Sequence, residues 1–250
     1  TFDTGAPVWD TGSTGSAFAI KAPSSRTIFT RTSAGTGVEF LWANLDTAQQ
    51  NALNTIPTSS TPCSTTNLTA CDGKGPERLE FLRGKGVAPA DSAWLTANNF
   101  RTRSSMLGDI INSDPFFVDG SPPMVYVGAN DGMLHAFNAN TGEEVFAYVP
   151  TAVFKRLNAI PSKNYAHNYT VDGSAVVREV NGKKILVGTL RGGGQAAYAL
   201  DVTDPTTFNA SKVLWEYSDN DLGYTFSKPT IAKLGDQWAV FLGNGYNNTE

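Results

Sequence analysis

A short apolar strand that ends in glycine recurs three times in the second half of the sequence. It reads Val-Tyr-Val-Gly at 125–128, Ile-Leu-Val-Gly at 185–188 and Val-Phe-Leu-Gly at 240–243, so the glycines lie 60 and 55 residues apart. A further strand start precedes each glycine by 13 or 14 residues. A near-constant period restricts the chain to folds that repeat one supersecondary unit.

Two more apolar segments follow the glycine in each of the first two units. They lie at 136–139 and 145–148 in the first unit, and at 199–202 and 214–217 in the second. The Asn-Asp-Gly turn at 130–132 supplies residues that tolerate positive φ, as a tight hairpin requires. Four-stranded antiparallel units in series predict a β-propeller, whereas a sandwich of unrelated hairpins does not predict the spacing.

The predicted fold class is therefore all-β, a quinoprotein-like β-propeller of four-stranded blades with helical and loop insertions. We assign residues 1–250 to one domain, with blades at about 113–148 and 172–217 and a truncated third blade at 226–250. Because propellers close with roughly four to eight blades, we expect an incomplete fragment, the N-terminal part of one propeller.

The first half of the chain is less regular. Segments 26–30 and 38–42 predict a hairpin across the glycine-containing residues 33–37, and we assign this hairpin to another blade. Residues 45–56 and 77–83 predict short helices outside the sheets.

The two cysteines, Cys63 and Cys71, lie in a stretch without hydrophobic periodicity, which predicts an exposed loop insertion over residues 57–76. Two exposed thiols this close favour a disulfide and a secreted setting, whereas the alternative is a pair of unrelated free thiols. In the chain-entropy model the disulfide would contribute roughly 2.5 kcal/mol. Two cysteines without a nearby histidine make a poor metal site.

Charge and hydropathy argue against two kinds of partner. The formal net charge is −4 and the pI is near 5.2, so no basic field exists to hold nucleic acid or an anionic membrane. No apolar run approaches the roughly 18 residues of a membrane span. Thr1 begins no signal peptide, so we expect either that processing removed the targeting signal or that this is an internal piece.

Catalytic chemistry has few candidate residues. The only histidines are His135 and His167, and no nucleophile elbow, phosphate-binding loop or two-histidine helix motif occurs. His135 lies between apolar neighbours in a predicted strand and His167 lies among aromatic residues, so both predict structural roles. The Arg-Gly-Gly-Gly stretch at 191–194 lacks the features of a phosphate cradle and predicts a turn. The sequence therefore predicts a non-enzymatic protein without catalytic or cofactor-binding residues.

Asp219 and Asp221 are weak candidates for a metal site, because oxygen ligands at alternating positions suit calcium. The stretch is too short for a 12-residue calcium loop and has no late glutamate. The pattern therefore favours a turn between blades, and we predict no metal site in the chain.

Five motifs follow one another in a fixed order. They are Leu-Gly-Asp-Ile-Ile-Asn-Ser at 107–113, Val-Asp-Gly-Ser at 171–174, Ala-Leu-Asp-Val-Thr-Asp-Pro at 199–205, Leu-Gly-Tyr-Thr at 222–225 and Gly-Asn-Gly-Tyr-Asn at 243–247. In these motifs the chain resembles the C-terminal domain of the type IV pilus-tip adhesin and biogenesis family known as PilY or PilC. The Trp-Asp-Thr-Gly entry segment at 9–12 matches as well, and the resemblance covers residues 8–250 apart from the insertion.

This resemblance implies a protein that acts by surface presentation and protein contact in pilus biogenesis, cell adhesion, twitching motility and virulence. The implied partners are minor pilins at the pilus tip and a host-cell surface ligand. The implied location is extracellular, at the pilus tip or outer-membrane surface, after export through the periplasm. The family's Ca²⁺ loop lies beyond Glu250, so we expect no cofactor in this chain. Lys85 departs from the family pattern, in which Asp often follows the Arg and Gly found here at 83 and 84.

Two other functions stay open at this point. A periplasmic scaffold propeller of outer-membrane protein assembly shares the blade pattern. A quinoprotein dehydrogenase also resembles it, but its adjacent cysteines and carboxylate-bound calcium have no counterpart in this sequence.

Alternation along the predicted strands selects a core of ten apolar residues. They are Val125, Val127, Leu134, Phe137, Phe146, Leu186, Leu200, Trp215, Val240 and Leu242. Solvent exposure at most of these positions would contradict the propeller alignment.

Overall fold

The structure is a computed structural model that describes residues 9–11, 16–19 and 21–247. Its strands are β1 Ile28–Arg31, β2 Gly37–Glu39, β3 Phe116–Val118, β4 Met124–Ala129, β5 Met133–Asn138, β6 Glu144–Val149, β7 Ala175–Val180, β8 Lys183–Thr189, β9 Ala197–Asp201, β10 Val213–Tyr217, β11 Thr230–Leu234 and β12 Gln237–Phe241. Its α-helices are α1 Thr47–Asn54, α2 Gly75–Arg83, α3 Ser92–Asn98 and α4 Phe154–Leu157. Gly12 of the entry motif and the last three residues of the third predicted blade lie outside the described residues.

The strands form three sheets that follow the three sequence repeats. The first has the order β2-β1-β6-β5-β4-β3, the second β10-β9-β8-β7 and the third β11-β12. Two of the repeated glycines occupy equivalent places, because Gly128 pairs with Leu134 and Gly188 pairs with Tyr198 on the next strand. The predicted all-β architecture of propeller blades is confirmed.

Glycines close the hairpins of the first unit at positions that other residues would strain. Gly132 has φ 99° between β4 and β5, and Gly142 has φ 71° before β6. A Cβ at Gly132 would also lie 2.4 Å from Leu157 Cδ2. The Asn-Asp-Gly turn therefore requires glycine both for its backbone conformation and for its contact with α4.

The hairpin β1–β2 does not belong to another blade, so that assignment was wrong. Strand β1 pairs in parallel with β6, with Phe29 opposite Tyr148, and extends the first sheet to six strands. Buried Phe29 packs on Phe208, with ring centroids 5.3 Å apart. A parallel pairing across more than a hundred residues leaves no local pattern in the sequence.

The predicted helices are present as α1 and α2, and their ends follow from single residues. Asp46 caps α1 by accepting from Gln49 N at 2.9 Å, while the Gln49 side chain accepts from Asp46 N. Gly84 ends α2 with φ 124°. The sequence analysis missed α3, whose seven residues end at Asn99 in the left-handed conformation. No helix in the described part of the chain is long and apolar enough to cross a bilayer.

Six of the ten predicted core residues are buried and the other four are partly buried. The buried six are Val127, Leu134, Phe137, Phe146, Leu186 and Leu200. Among the others, Trp215, Val240 and Leu242 line an apolar cavity of about 400 Å³ between strands of the second and third sheets. Partial burial there reflects the two strands of the third sheet, which cover less area than the four strands of the second.

Threonine side chains tie each unit to the next. Thr170 N donates to Asn130 Oδ1 at 3.0 Å, and Thr170 Oγ1 donates to Ala129 O at 3.3 Å. At the next junction Thr225 Oγ1 accepts from Leu190 N and donates to Ala196 O, both at 3.0 Å. Both threonines are buried, so the connections between units are part of the packed interior.

Candidate functional site

A cleft of about 630 Å³ opens where the segment that follows α3 meets the first sheet. It is lined by residues 101–109, by Asn130 and Asp131 in the β4–β5 turn, and by Ile160 and Tyr165. The cleft therefore collects polar side chains from three separate parts of the chain.

Gly108 holds the segment 101–109 against the β4–β5 turn. Gly108 N donates to Asp131 Oδ2 at 2.8 Å, and Asn130 N donates to Asp109 O at 3.0 Å. A Cβ at Gly108 would lie 2.2 Å from Asp131 N, so a side chain there would push the two backbones apart. The Leu-Gly-Asp motif thus fixes Asp109 and Asp131 on the same cleft.

A series of four charged side chains begins at Asp131 and extends into the interior. His135 Nε2 lies 3.0 Å from Asp131 Oδ2, and His135 Nδ1 lies 2.8 Å from Glu144 Oε1. Arg26 donates from Nε and Nη2 to the two Glu144 oxygens, both at 2.7 Å. All four residues are buried. This buried network, Arg26–Glu144–His135–Asp131, joins the N-terminal segment to strands β5 and β6.

The pKa values of the network favour its fully charged form. Burial alone lowers the pKa of His135, but the Asp131 and Glu144 carboxylates outweigh burial and raise it to about 9. Burial raises the pKa of Glu144, but Arg26 and His135 outweigh it and hold that pKa far below its ordinary range. The same opposition, with His135 as the main partner, lowers the pKa of Asp131. At neutral pH the network carries two positive and two negative charges.

Arg101 lies on one side of the cleft. Its Nε donates to Ile160 O at 2.6 Å, and its guanidinium carbon lies 4.7 Å from the centroid of the Tyr165 ring. Burial lowers the pKa of Arg101, and the Tyr165 and Asp109 side chains oppose that effect.

Arg103 lies deeper in the same cleft. Its guanidinium carbon is 3.9 Å from the centroid of the Phe81 ring, and Nη2 donates to the carbonyl oxygens of Phe81 and Lys85. Its Nε is buried without a hydrogen-bond partner among the described residues. Burial, together with the nearby charge of Arg26, lowers the pKa of Arg103 to about 9.

The two histidines of the sequence analysis differ in burial and in their partners. His135 is the centre of the buried network, whereas His167 is partly exposed, with Nε2 2.7 Å from Asp109 Oδ2. The His167 ring also meets Tyr169 edge-on at a centroid distance of 5.0 Å. Both histidines therefore make structural hydrogen bonds.

The sequence analysis missed the arginines and carboxylates that surround these histidines. Arg26 and Glu144 are 118 residues apart in the chain, so no local motif relates them. The sequence did contain a signal for the pair Asp131 and His135. These two residues lie in one hairpin, four positions apart, among mostly apolar residues. The alternating Arg101 and Arg103 also stood out in a chain of low charge content.

Asp219 and Asp221 form a turn and do not converge on a point. Asp219 Oδ1 accepts from Asp221 N at 3.0 Å, and Leu222 N donates to Asp219 O at 3.1 Å. Both aspartates are exposed, and no group of three or more His, Cys, Asp or Glu suited to a metal occurs in residues 9–11, 16–19 and 21–247. These two carboxylates do not fit a calcium ion, which takes about six to eight oxygen ligands.

Cys63 and Cys71 are joined in a disulfide, as predicted. The loop between them is not devoid of structure, because residues Leu68–Ala70 form a 3-10 turn and Thr55 bridges to Cys71. Leu68 is 71% exposed at this turn. The insertion is therefore a constrained surface loop beside α1.

Arg83, the first residue of the Arg-Gly-Lys stretch at 83–85, has a structural role. Arg83 is buried and donates to the carbonyl oxygens of Phe40, Pro23 and Arg26, at 3.1, 3.1 and 2.9 Å. Because its guanidinium is used inside the protein, this arginine does not present a surface ligand.

Antiparallel four-stranded units, joined in series by buried threonine ties, define a protein of the β-propeller class. The family model of the PilY1 β-propeller domain matches residues 107–250. The chain belongs to this family.

The relatives share the same name. The chain is 38% identical over 268 residues to the Type IV pilus biogenesis factor PilY1 of Pseudomonas aeruginosa strain UCBPP-PA14, an alignment that covers 91% of this chain and 21% of the relative. It is 39% identical over 217 residues to a Type IV pilus biogenesis factor PilY1 homolog of Xylella fastidiosa, covering 72% and 17%. The crystal structure of the Pseudomonas aeruginosa PilY1 C-terminal domain aligns at 45% identity and TM-score 0.40, over 50% of this chain and 25% of that one. The chain thus spans about a fifth of the length of its curated relatives.

Proposed function

We propose that this chain is the propeller part of a type IV pilus biogenesis factor, and that it acts through protein contact rather than catalysis. The observation that carries the proposal is the alignment of 91% of the chain with a relative that bears this name. The match of residues 107–250 to the PilY1 β-propeller domain supports it independently.

The proposed partners are minor pilins at the pilus tip, with a host-cell surface ligand as a second contact. The proposed location is the pilus tip or outer-membrane surface, reached by export through the periplasm. The Cys63–Cys71 disulfide supports this location, because disulfides persist in oxidising compartments.

A chimera tests the proposal in a living cell. In Pseudomonas aeruginosa strain PAO1, the segment of PilY1 that aligns with this chain at 40% identity is replaced by this sequence. We expect the chimera to restore surface pili and twitching motility to a strain without PilY1. A chimera that is exported and stable but leaves the cells without pili would contradict the proposal.

Affinity capture separates the proposal from the scaffold alternative. The exported chimera is captured from cross-linked cells, and minor pilins are expected to be retained with it. As a control, the same capture uses a chimera in which Arg26→Met disrupts the buried network. Retention of outer-membrane assembly proteins without minor pilins would favour the scaffold of outer-membrane assembly instead.

We further propose that these residues bind no Ca²⁺ tightly, and that the ion site of the longer protein lies beyond Glu250. The turn geometry supports this proposal, because the Asp219 carboxylate accepts a hydrogen bond from the backbone N–H of Asp221. Calorimetry on residues 1–250 is expected to show no binding tighter than about the millimolar range, because two exposed carboxylates supply too few ligands. Micromolar binding that disappears in the Asp219→Asn variant would show that the turn is a calcium site.

A further inference from the structure

We propose that the cleft between residues 101–109 and the β4–β5 turn binds a carboxylate group of a polypeptide, through Arg101 and Arg103. This inference stands apart from the pilus function, since it concerns a ligand group and not the identity of the assembly. Three properties of the cleft lead to this inference. Within the described ranges of the chain, its two arginines have no carboxylate in contact, its two aspartates already have partners, and its lining contains both polar and apolar residues.

The two arginines have hydrogen-bond donors that no side-chain hydrogen bond of the described residues uses. Among the described residues Arg101 uses only Nε and Arg103 only Nη2 in side-chain hydrogen bonds, so three Nη atoms of the pair make none. Neither guanidinium lies within 4.0 Å of a carboxylate in the described part of the chain. Two neighbouring cations without a counter-ion within contact distance cost free energy. Burial and the charge of Arg26 are the main causes of the lowered pKa of Arg103, and the charge of Arg101 adds to them.

The carboxylates of the cleft compensate these charges only in part and without direct contact, because each is already engaged with other groups. Asp131 accepts from Gly108 N and pairs with His135. Asp109 pairs with His167 Nε2 and accepts from Asn130 Nδ2 at 3.0 Å. An added anion would therefore meet the unused Nη atoms of the arginines and would not displace an existing ion pair.

The lining and the fixed charges favour a carboxylate over a phosphate. Asp109 and Asp131 repel any anion, and they repel a doubly charged phosphate about twice as strongly as a singly charged carboxylate. The planar guanidinium matches a carboxylate in a two-point contact. Met106, Leu107 and Ile160 add apolar surface beside the arginines, which suits a peptide chain that carries the charged group.

Peptide titration followed by amide NMR shifts tests this site on the isotopically labelled chain. The first probe is acetyl-Gly-Gly-Glu-Gly-Gly-amide, which has a side-chain carboxylate; the second is acetyl-pentaglycine, which has a terminal one. We expect saturable shifts at residues 101–109 and 130–131 with at least one of them, at about millimolar affinity. The comparison between the two probes identifies the source of the carboxylate. Acetyl-Gly-Gly-Gln-Gly-Gly-amide, the neutral analogue, should produce no saturable shift.

Variants show whether the arginines are responsible. Arg101→Met should weaken binding about tenfold or more, as the loss of a charged hydrogen bond does, whereas Arg101→Lys should weaken it less. The matched control is Arg178→Met, because Arg178 also stacks on an aromatic ring, Trp238, and donates to a carbonyl, Ile231 O, but lies outside the cleft. The binding result of Arg103→Met is used only if the dispersion of its amide NMR spectrum shows that the variant is folded.

Any of four results would overturn the inference, and the first three come from comparisons between probes or variants. They are equal binding of the glutamine peptide, an equal loss in Arg178→Met and Arg101→Met, and tighter binding of inorganic phosphate than of either carboxylate peptide. Absence of saturable binding by both carboxylate peptides would overturn it as well.

Discussion

Single residues decide how the N-terminal segment is held. Arg26 reaches Glu144 across 118 residues, and the pair is fully buried. Two charges removed from water are stable only when they keep each other and their hydrogen bonds. The buried network therefore links the N-terminal segment to the first sheet, and the stability of each charged group in it depends on the others.

Removal of one partner should expose that dependence. We expect Arg26→Met to lower the free energy of unfolding by about 3–5 kcal/mol, because Glu144 would keep a buried charge with only His135 beside it. Urea denaturation measures the change. The control is Glu143→Gln, which removes an exposed carboxylate 3.6 Å from Lys21 Nζ and should cost at most about 1 kcal/mol. Equal effects of the two substitutions would show that the buried pair contributes no more than an exposed pair.

The charge of His135 should make stability depend on pH. Its pKa is about 9 in the folded protein and ordinarily 6.5, so its contribution is complete below about pH 6.5 and is lost as pH rises through 9. The difference in unfolding free energy between the protein and His135→Gln should therefore shrink from pH 6 to pH 10. Glu144 acts in the opposite direction: its lowered pKa contributes stability above pH 4.5 that is lost in acid. A difference that stays constant from pH 6 to pH 10 would mean that folding does not change the pKa of His135.

At the scale of elements, the junctions between units depend on close backbone contact. A Cβ at Gly193 would lie 1.5 Å from Thr170 O, whereas a Cβ at Gly243 would be 3.4 Å from Ser227 Oγ. We expect Gly193→Ala to destabilise the chain by about 1–3 kcal/mol, because the segment around Thr170 must move away. Thermal denaturation should show a much smaller effect for Gly243→Ala, and the reverse order would contradict the junction geometry.

The disulfide loop should behave as a local element. Cys63 and Cys71 are eight residues apart, and the loop packs beside α1 rather than between the sheets. Reduction should leave the far-UV circular dichroism of the sheets unchanged and increase hydrogen exchange only near residues 55–72. If reduction also increased exchange in β4 to β6, the loop would have to support the first sheet. Intact-mass measurement verifies that the bond was present before reduction.

The sequence predicted elements better than it predicted their partners. Repeated glycines and hairpin turns located β4 to β9 because these signals are local, and the helical segments at 45–56 and 77–83 were also located from the local sequence. The parallel pairing of β1 with β6 was not predictable, since it depends on side chains such as Phe29 and Phe208 that meet only after folding. For the same reason the partners of the cleft arginines could not be predicted, although the arginines themselves alternate along the sequence.

Across the whole molecule, strand support decreases along the chain. Strand β8 lies between β7 and β9, whereas β12 pairs only with β11 among the described residues. We expect the amides of β12 to exchange hydrogen much faster than those of β8, because edge strands open without disrupting the rest of a sheet. Native-state hydrogen exchange by NMR measures both strands, and equal protection would indicate that β12 is covered by another strand in solution.

The pairing of β1 with β6 has a consequence for the order in which the chain acquires its shape. Thr30 donates to Val149 O across 119 residues, so the first sheet cannot be completed until residue 149 has left the ribosome. Closing so long a loop is slow compared with forming the local hairpins β4–β5 and β7–β8. Residues 26–31 must therefore wait, with Ile28 and Phe29 lacking their partners on β6, while more than a hundred residues emerge.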